Sequence, residues 1–377
     1  MKRPRVLALV LAGGEGGRLG PLTNERAKPA LPFAGMYRLI DFPLSNCLHS
    51  GIADVWVIQQ YEPHELEEQL AGGRPWDLDR TRGGLRILHP YLGDSESGWY
   101  EGNADAIYRN REVIAAHDPD VLLVLSADHV YKLDYAEVIA DQRESGAAVT
   151  MVTTTVEKED ASRYGVVRVD GEGVVREFAY KPDDPFGGLI TTEVFAYDAK
   201  ALLRTLDELA DEGESSGLQD FGHELIPRLV EEGSARAFPL DGYWRDIGTI
   251  DAYWQAHMEL LEPEPQFRLD DPAWPILTAG PQRPPARIEA SATIDGGLVA
   301  AGARVRGTVV RSIVGPGVVV EQGAEVHDSI LLHDSYVGAV AQVNRAILDS
   351  EAHVEENATV GDATEIAVVE AGARITA

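Results

Sequence analysis

The sequence predicts an α/β domain on a mostly parallel, Rossmann-like sheet, followed by a second domain folded as a parallel β-helix. Residues 6–11, 55–58 and 121–125 are apolar without alternation, the pattern of strands buried on both faces of a parallel sheet. Segments with helical character separate these runs, as parallel strands require. After residue 286 the pattern changes. Ile288, Ile294, Val299 and Val305, then Val314 and Val319, then Val337, Val343, Leu348, Val354, Val360 and Ile366 recur at five to six residues within each series, with Gly and Ala between them. Such a hexapeptide repeat winds a β-helix in which each short strand buries one apolar residue, so the core is a ladder. A sandwich of short strands is the alternative, and it would show a spacing of about 8–12 residues.

The chain has 377 residues, room for about two to three domains. Its hydrophobic content of 44% and charged content of 25% are those of a soluble globular protein. No apolar run reaches the length of a membrane span, so no membrane partner is expected. The basic, then apolar N-terminus is superficially like a signal peptide, but its apolar run is short and opens into a glycine loop. The single cysteine, Cys47, excludes an internal disulfide framework and suits a reducing cytoplasm. Net charge is −29, from 33 basic and 62 acidic residues, which argues against a nucleic-acid partner. A phosphate-binding site in such a chain must concentrate its few cations. Arg18, Arg26, Lys28 and Arg38 do so around the glycine loop.

The elements follow in order. The first strand, 6–11, empties into Gly13-Gly14-Glu15-Gly16-Gly17, with Arg18 and Lys28 beyond it. Glycines let backbone N–H groups turn toward an anion, and the two cations add charge. The stretch reads as a cradle for a nucleoside triphosphate. It matches neither the dinucleotide fingerprint nor the P-loop, and a Gly-rich turn without a ligand is the bland alternative. A helix is expected over 44–49, ended by Gly51. Strand 55–58 stops at Gln59, Gln60 and Tyr61, and a short helix covers 64–70. Residues 71–98 read as a long loop or lid, and 100–116 as a helix. Strand 121–125 ends in Ser126, Ala127, Asp128 and His129. Three strands thus deliver polar residues at their carboxyl ends, where open α/β sheets bind ligands.

Next come a helix over 135–144, a strand over 147–155 and a hairpin of 165–169 with 174–178, closed by Tyr180, Lys181 and Pro182. A strand over 189–197, helices over 199–208 and 221–232, a strand over 235–239 and a helix over 250–261 complete the domain. Proline density then rises, so 262–286 reads as a linker between residues 1–261 and 287–377.

These motifs resemble those of the sugar-1-phosphate nucleotidyltransferases, and most closely the bacterial ADP-glucose pyrophosphorylases (glucose-1-phosphate adenylyltransferases). The resemblance covers nearly the whole chain. It rests on LAGGEGGRL with LTNERAKPALPFAGMYRLIDFPLSN, on IQQY, GWYEGNADAIY, ADHVYKLDY, YGVV and YWRDIGTIDAYW, and on the hexapeptides. It implies a Mg²⁺-dependent transfer from ATP to glucose 1-phosphate, giving ADP-glucose for glycogen-type glucan synthesis, and a left-handed β-helix. Leu11, Ala12, Gly13, Gly14, Gly16 and Arg18 would cradle the triphosphate. Lys28 would contact the leaving pyrophosphate, and Gln60 would read the base. Asp128 and Asp246 would hold the metal. Lys181 would bind the sugar phosphate, with Tyr100 and Gly165 lining that site. On the residues alone, Asp128 could equally be a helix N-cap and Asp246 a turn residue. His129 reads as structural.

The sequence departs from the family at three places. Tyr180 stands where the family has a sugar-binding Glu. Thr191-Thr192-Glu193 replaces Ser-Met-Gly; Thr191 keeps a hydroxyl, and Glu193 or Tyr180 is expected to recover a sugar contact, which opens a sugar other than plain glucose. Gln59 replaces a Thr beside Gln60, which opens GTP and other bases as alternatives to ATP. Met36 stands where some members carry an activator-binding Lys, so effector identity does not carry over. The resemblance further implies a homotetramer. A non-catalytic regulatory subunit is the competing reading, opposed by Arg18, Lys28, Asp128, Lys181 and Asp246.

Overall fold

The computed structural model describes residues 3–14, 16–90, 99–212, 218, 220–280, 282–362 and 364–377. Nine strands form the main sheet: β1 (Val6–Ala12), β2 (Asp54–Gln59), β3 (Gly84–Leu88), β4 (Val121–Ser126), β5 (Val149–Thr155), β6 (Gly165–Val169), β7 (Val175–Tyr180), β8 (Leu189–Asp198) and β9 (Ala235–Pro239). Their order is β7-β6-β8-β4-β1-β2-β3, with β5 paired to β8 and β9 paired to β5. β4, β1, β2 and β3 run parallel, and β8 is antiparallel to β4 and β5. The apolar run of β1 is explained by its place beside both β2 and β4. Ala8 and Val10 point into one core and Leu7 and Leu9 into the other, all fully buried.

Two expectations are corrected. β3 and a turn at Ala71–Trp76, with Trp76 fully buried, occupy the first part of the expected lid. That segment is therefore part of the sheet edge, and its short apolar stretch GLRIL was masked by the surrounding Gly and Arg. Residues 91–98 of the expected lid lie outside the described residues. The helix expected over 100–116 is two helices, Asn103–Arg109 and Arg111–His117. Asn110 breaks it, donating from Nδ2 to the Ala106 carbonyl and to the Tyr100 hydroxyl.

Beyond the linker, three all-parallel sheets of six, five and five strands form the faces of a β-helix. Successive strands on one face start at Arg287, Arg304, Val319, Tyr336, His353 and Arg374. Val305, Val320, Val337 and Val354 form one ladder of its core. The face carrying Ile313, Ile330 and Ile347 packs on Phe33, Phe42, Tyr253 and Phe267, so the two parts share a core. The proline-rich segment lies along this junction. Phe267 and Ile276 are buried, and Trp274 Nε1 donates to Asn46 Oδ1 at 2.8 Å. Among the described residues no helix is long and apolar enough to cross a membrane.

One ion pair crosses the junction inside that core: Arg26 Nη1 to Asp349 Oδ1 at 2.8 Å, with side chains 5% and 1% exposed. Removing one partner of a buried pair strands the other charge. Asp349→Ala is expected to lower unfolding stability by about 3–5 kcal/mol. A denaturant midpoint equal to wild type would show that Glu65, 3.3 Å from Arg26 Nε on its other side, is enough to hold the charge.

Candidate active site

The acid pair is assembled by a two-stranded ribbon. His129–Tyr131 runs antiparallel to Trp244–Asp246, with Asp246 in register opposite His129. Asp128, immediately before the ribbon, therefore stands beside Asp246. The Lys28 ammonium lies between them, paired with Asp128 and 3.5 Å from Asp246 Oδ1. Burial opposes the Lys28 charge, but Asp128 and Asp246 outweigh it and hold its pKa above the ordinary lysine value. Burial also opposes the Asp128 charge; Lys28, His129 and the Ser126 hydroxyl outweigh it and keep the carboxylate ionised far into acid. His129 donates from Nδ1 to the Thr192 carbonyl at 3.1 Å, so its Nε2 turns toward both carboxylates. Two carboxylates converging on one buried cation are a donor set of hard oxygens, which fits a hard divalent cation.

The glycine loop lies against this cluster. Gly16 has φ 69°, and a Cβ there would sit 3.0 Å from Thr23 Cγ2. Thr23 closes the loop by donating to the Gly16 carbonyl at 3.0 Å. Around Gly14 there is open space, and Arg18 is exposed with no partner among the described residues. Glu15 lies outside the described residues. Ala12 is buried in register with Gln59, while Leu11, Gly13 and Gly14 line a cavity.

The same cavity is lined by Lys28, Asp128, Gly165, Tyr180, Thr191 and Glu193. Thr191 and Glu193 occupy the point where β8 shifts register against β5, and Glu193 adopts φ 55°. A side chain in that left-handed region is strained, by about 1 kcal/mol or more. Burial, then the nearby Asp128 and Asp246, raises the Glu193 pKa, with His129 and Lys181 opposing. Tyr180 donates to Asp220 Oδ2 at 2.8 Å and accepts from Lys181 Nζ at 2.7 Å.

A glycine loop closed by Thr23 and a lysine held between two carboxylates stand at one cavity, an arrangement with the charge and backbone donors that phosphates need. Residues 7–263 match the family model described as Nucleotidyl transferase, and residues 284–371 match that described as GlmU-like, C-terminal hexapeptide. The chain is 46% identical over 358 residues to a glucose-1-phosphate adenylyltransferase of Thermomicrobium roseum, covering 94% of this chain and 83% of the relative. It is 40% identical over 362 residues to that of Acetivibrio thermocellus, covering 96% and 84%. It is 38% identical over 360 residues to that of Bacillus thuringiensis, covering 95% of each. The chain belongs to the glucose-1-phosphate adenylyltransferase family. It is a nucleotidyltransferase whose C-terminal part is a left-handed β-helix of the hexapeptide kind.

Within this family the site brings some of the expected residues together and turns others away. The Tyr100 side chain is 8% exposed and packs on Ile58 and Ala106; it does not line the cavity. Gln60 Oε1 accepts from the Tyr100 N–H at 2.6 Å and its Nε2 donates to the Tyr100 carbonyl at 3.2 Å. Gln60 thus holds the Tyr100 backbone beside the glycine loop. Gln59 is fully buried and donates to Glu67 Oε1 at 2.7 Å. Gln59 thus faces Glu67 while Gln60 faces the Tyr100 backbone. Lys181, at φ 46°, folds back over the Tyr180 ring instead of reaching into the cavity.

Sequence reading gave no individual role to Ser126, Asp220 or Gly222. Ser126 donates to Asp128, and Asp220 anchors Tyr180. A Cβ on Gly222 would lie 2.1 Å from Tyr180 Cδ2. The signal was present in the run Asp220-Phe221-Gly222, because a glycine inside an expected helix asks for a packing reason. The helix in fact begins later, at Leu225. Gly222→Ala is expected to push Tyr180 out of place and raise the KM for the sugar phosphate about tenfold or more. An unchanged KM would show that the Tyr180 ring has no part in sugar binding.

Proposed function

We propose that this chain transfers the adenylyl group of ATP to glucose 1-phosphate. The observation that carries the reading is the Lys28 ammonium held between Asp128 and Asp246 beside the glycine loop. A phosphate oxygen of the sugar attacks the α-phosphorus in line. The bond from that phosphorus to the bridging oxygen breaks, and pyrophosphate leaves with the electron pair. No covalent bond to the protein is needed, so positioning and charge neutralisation do the work.

Leu11, Ala12, Gly13, Gly14 and Gly16 present the backbone to the triphosphate, and Arg18 supplies charge at its outer end. Lys28 steadies the departing pyrophosphate. Asp128 and Asp246 would hold Mg²⁺, which neutralises phosphate charge. Lys181, released from Tyr180, takes the sugar phosphate next to Gly165 and Thr191. Gln60 reads the base once it lets go of the Tyr100 backbone. Residues 1–261 form the catalytic unit, 262–286 the joint and 287–377 the β-helix. We read the protein as a cytoplasmic homotetramer serving glycogen-type synthesis, open to small-molecule effectors. Arg38, close to His333 across the junction, remains a cation at that face despite Met36.

Pyrophosphate release tests the reading. With Mg²⁺, each of ATP, GTP, UTP, CTP and dTTP is paired with glucose 1-phosphate. ATP is expected to give the fastest turnover. No release with any nucleotide, from protein that binds ATP, would favour a regulatory subunit.

A further inference from the structure

Tyr180 and Glu193 both line the cavity, but they are held differently. The Tyr180 hydroxyl is engaged on both sides, by Asp220 and Lys181. The Glu193 carboxylate lines the cavity and, among the described residues, makes no hydrogen bond or ion pair. Neither nearby lysine is paired with it. Lys28 serves Asp128 and Asp246, and the Lys181 ammonium is held on the Tyr180 hydroxyl. A spare carboxylate in this wall repels the phosphates that the reaction must bring in. The repulsion is offset where the ligand itself carries a cation to that carboxylate.

The position also says which part of the ligand meets it. Ligand atoms of Glu193, Asp128 and His129 lie within 4.8 Å of one another. Glu193 therefore stands at the phosphate end of the sugar site. The sugar carbon next to the phosphate-bearing C1 is C2. We propose that the sugar site prefers a 2-amino-2-deoxyhexose 1-phosphate, its ammonium paired with the Glu193 carboxylate, over the neutral hexose 1-phosphate. This rests on the sugar 1-phosphate reading above. The reaction is otherwise the same: the phosphate oxygen attacks the α-phosphorus, pyrophosphate leaves, and the amine keeps its protons. Glu193 is then a specificity-determining residue.

The test is kcat/KM for ATP-dependent pyrophosphate release with α-glucosamine 1-phosphate, α-glucose 1-phosphate and N-acetyl-α-glucosamine 1-phosphate. Wild type, Glu193→Gln and Glu193→Gly are compared. Wild type is expected to favour glucosamine over glucose 1-phosphate by about tenfold or more, and the uncharged N-acetyl form to lose that advantage. Both variants are expected to bring the ratio near one, mainly through the KM for glucosamine 1-phosphate. Glu193→Gly suits the left-handed backbone, which keeps a folding defect from deciding the result. A wild type that uses glucose 1-phosphate as well or better overturns the inference and leaves the proposed function standing. So does a ratio that neither variant changes. Weaker Mn²⁺ binding by sugar-free Glu193→Gln protein overturns it in favour of a metal-ligand role. No pyrophosphate from any sugar phosphate overturns the proposed function itself, and this inference with it.

Discussion

Asp128→Asn is expected to lower turnover about a hundredfold to a thousandfold, the range seen when one fixed electrostatic group is removed from an active site. The side chain keeps its shape and loses its charge. Its surroundings are built to keep that charge: Lys28 and Ser126 both donate to the carboxylate. The fold is expected to survive, because the ribbon that places residue 128 is held by backbone. The Ile247 N–H donates to the Asp128 carbonyl, and His129–Tyr131 pairs with Trp244–Asp246. Turnover by pyrophosphate release and a denaturant midpoint, measured on the same protein, separate the two effects. Turnover within about threefold of wild type would remove Asp128 from the reaction, since a threefold change is under 1 kcal/mol.

Lys28→Met is expected to act in two directions at once. Turnover falls about a hundredfold or more, because the cation proposed to meet the leaving group is gone while the apolar stem remains. Divalent-cation affinity of the substrate-free protein rises, because Asp128 and Asp246 no longer have an ammonium between them. Without metal the variant is also less stable, since two largely buried carboxylates are left facing each other. Added Mg²⁺ or Mn²⁺ is expected to restore stability by binding the folded state. Lys28→Arg is not expected to rescue turnover, because a planar fork does not replace a point charge in so tight a place. Mn²⁺ titration followed by electron paramagnetic resonance reads the affinity directly. Unchanged Mn²⁺ affinity would mean that Lys28 and the metal do not compete for one position.

Much of the architecture was legible beforehand. The apolar run of β1 had to be buried on both sides, because it has no polar face to show water. The valine ladder of the β-helix followed from its spacing. The misses have a common cause. β3 is a short edge strand with Arg and Gly around it, too weak a pattern to separate from a loop. The break at Asn110 depends on a side chain reaching Ala106 and Tyr100, which periodicity does not record. The sequence set Gln59 beside Gln60 without showing which way either side chain turns. Their opposite orientations became visible only with Glu67 and Tyr100 in place.

By itself the sequence determined the two-part architecture, the glycine loop, and the presence of Lys28, Asp128, Lys181 and Asp246. These are properties of local patterns: runs, repeats and motifs that need no partner to be read. Tertiary structure alone decided what those residues do to one another. The ribbon sets Asp246 beside Asp128 across more than a hundred positions of chain, and Lys28 falls between them. The register shift in β8 places Glu193 at the cavity, and Asp220 takes up the Tyr180 hydroxyl. Such pairings depend on distances through space, and chain order carries no record of them.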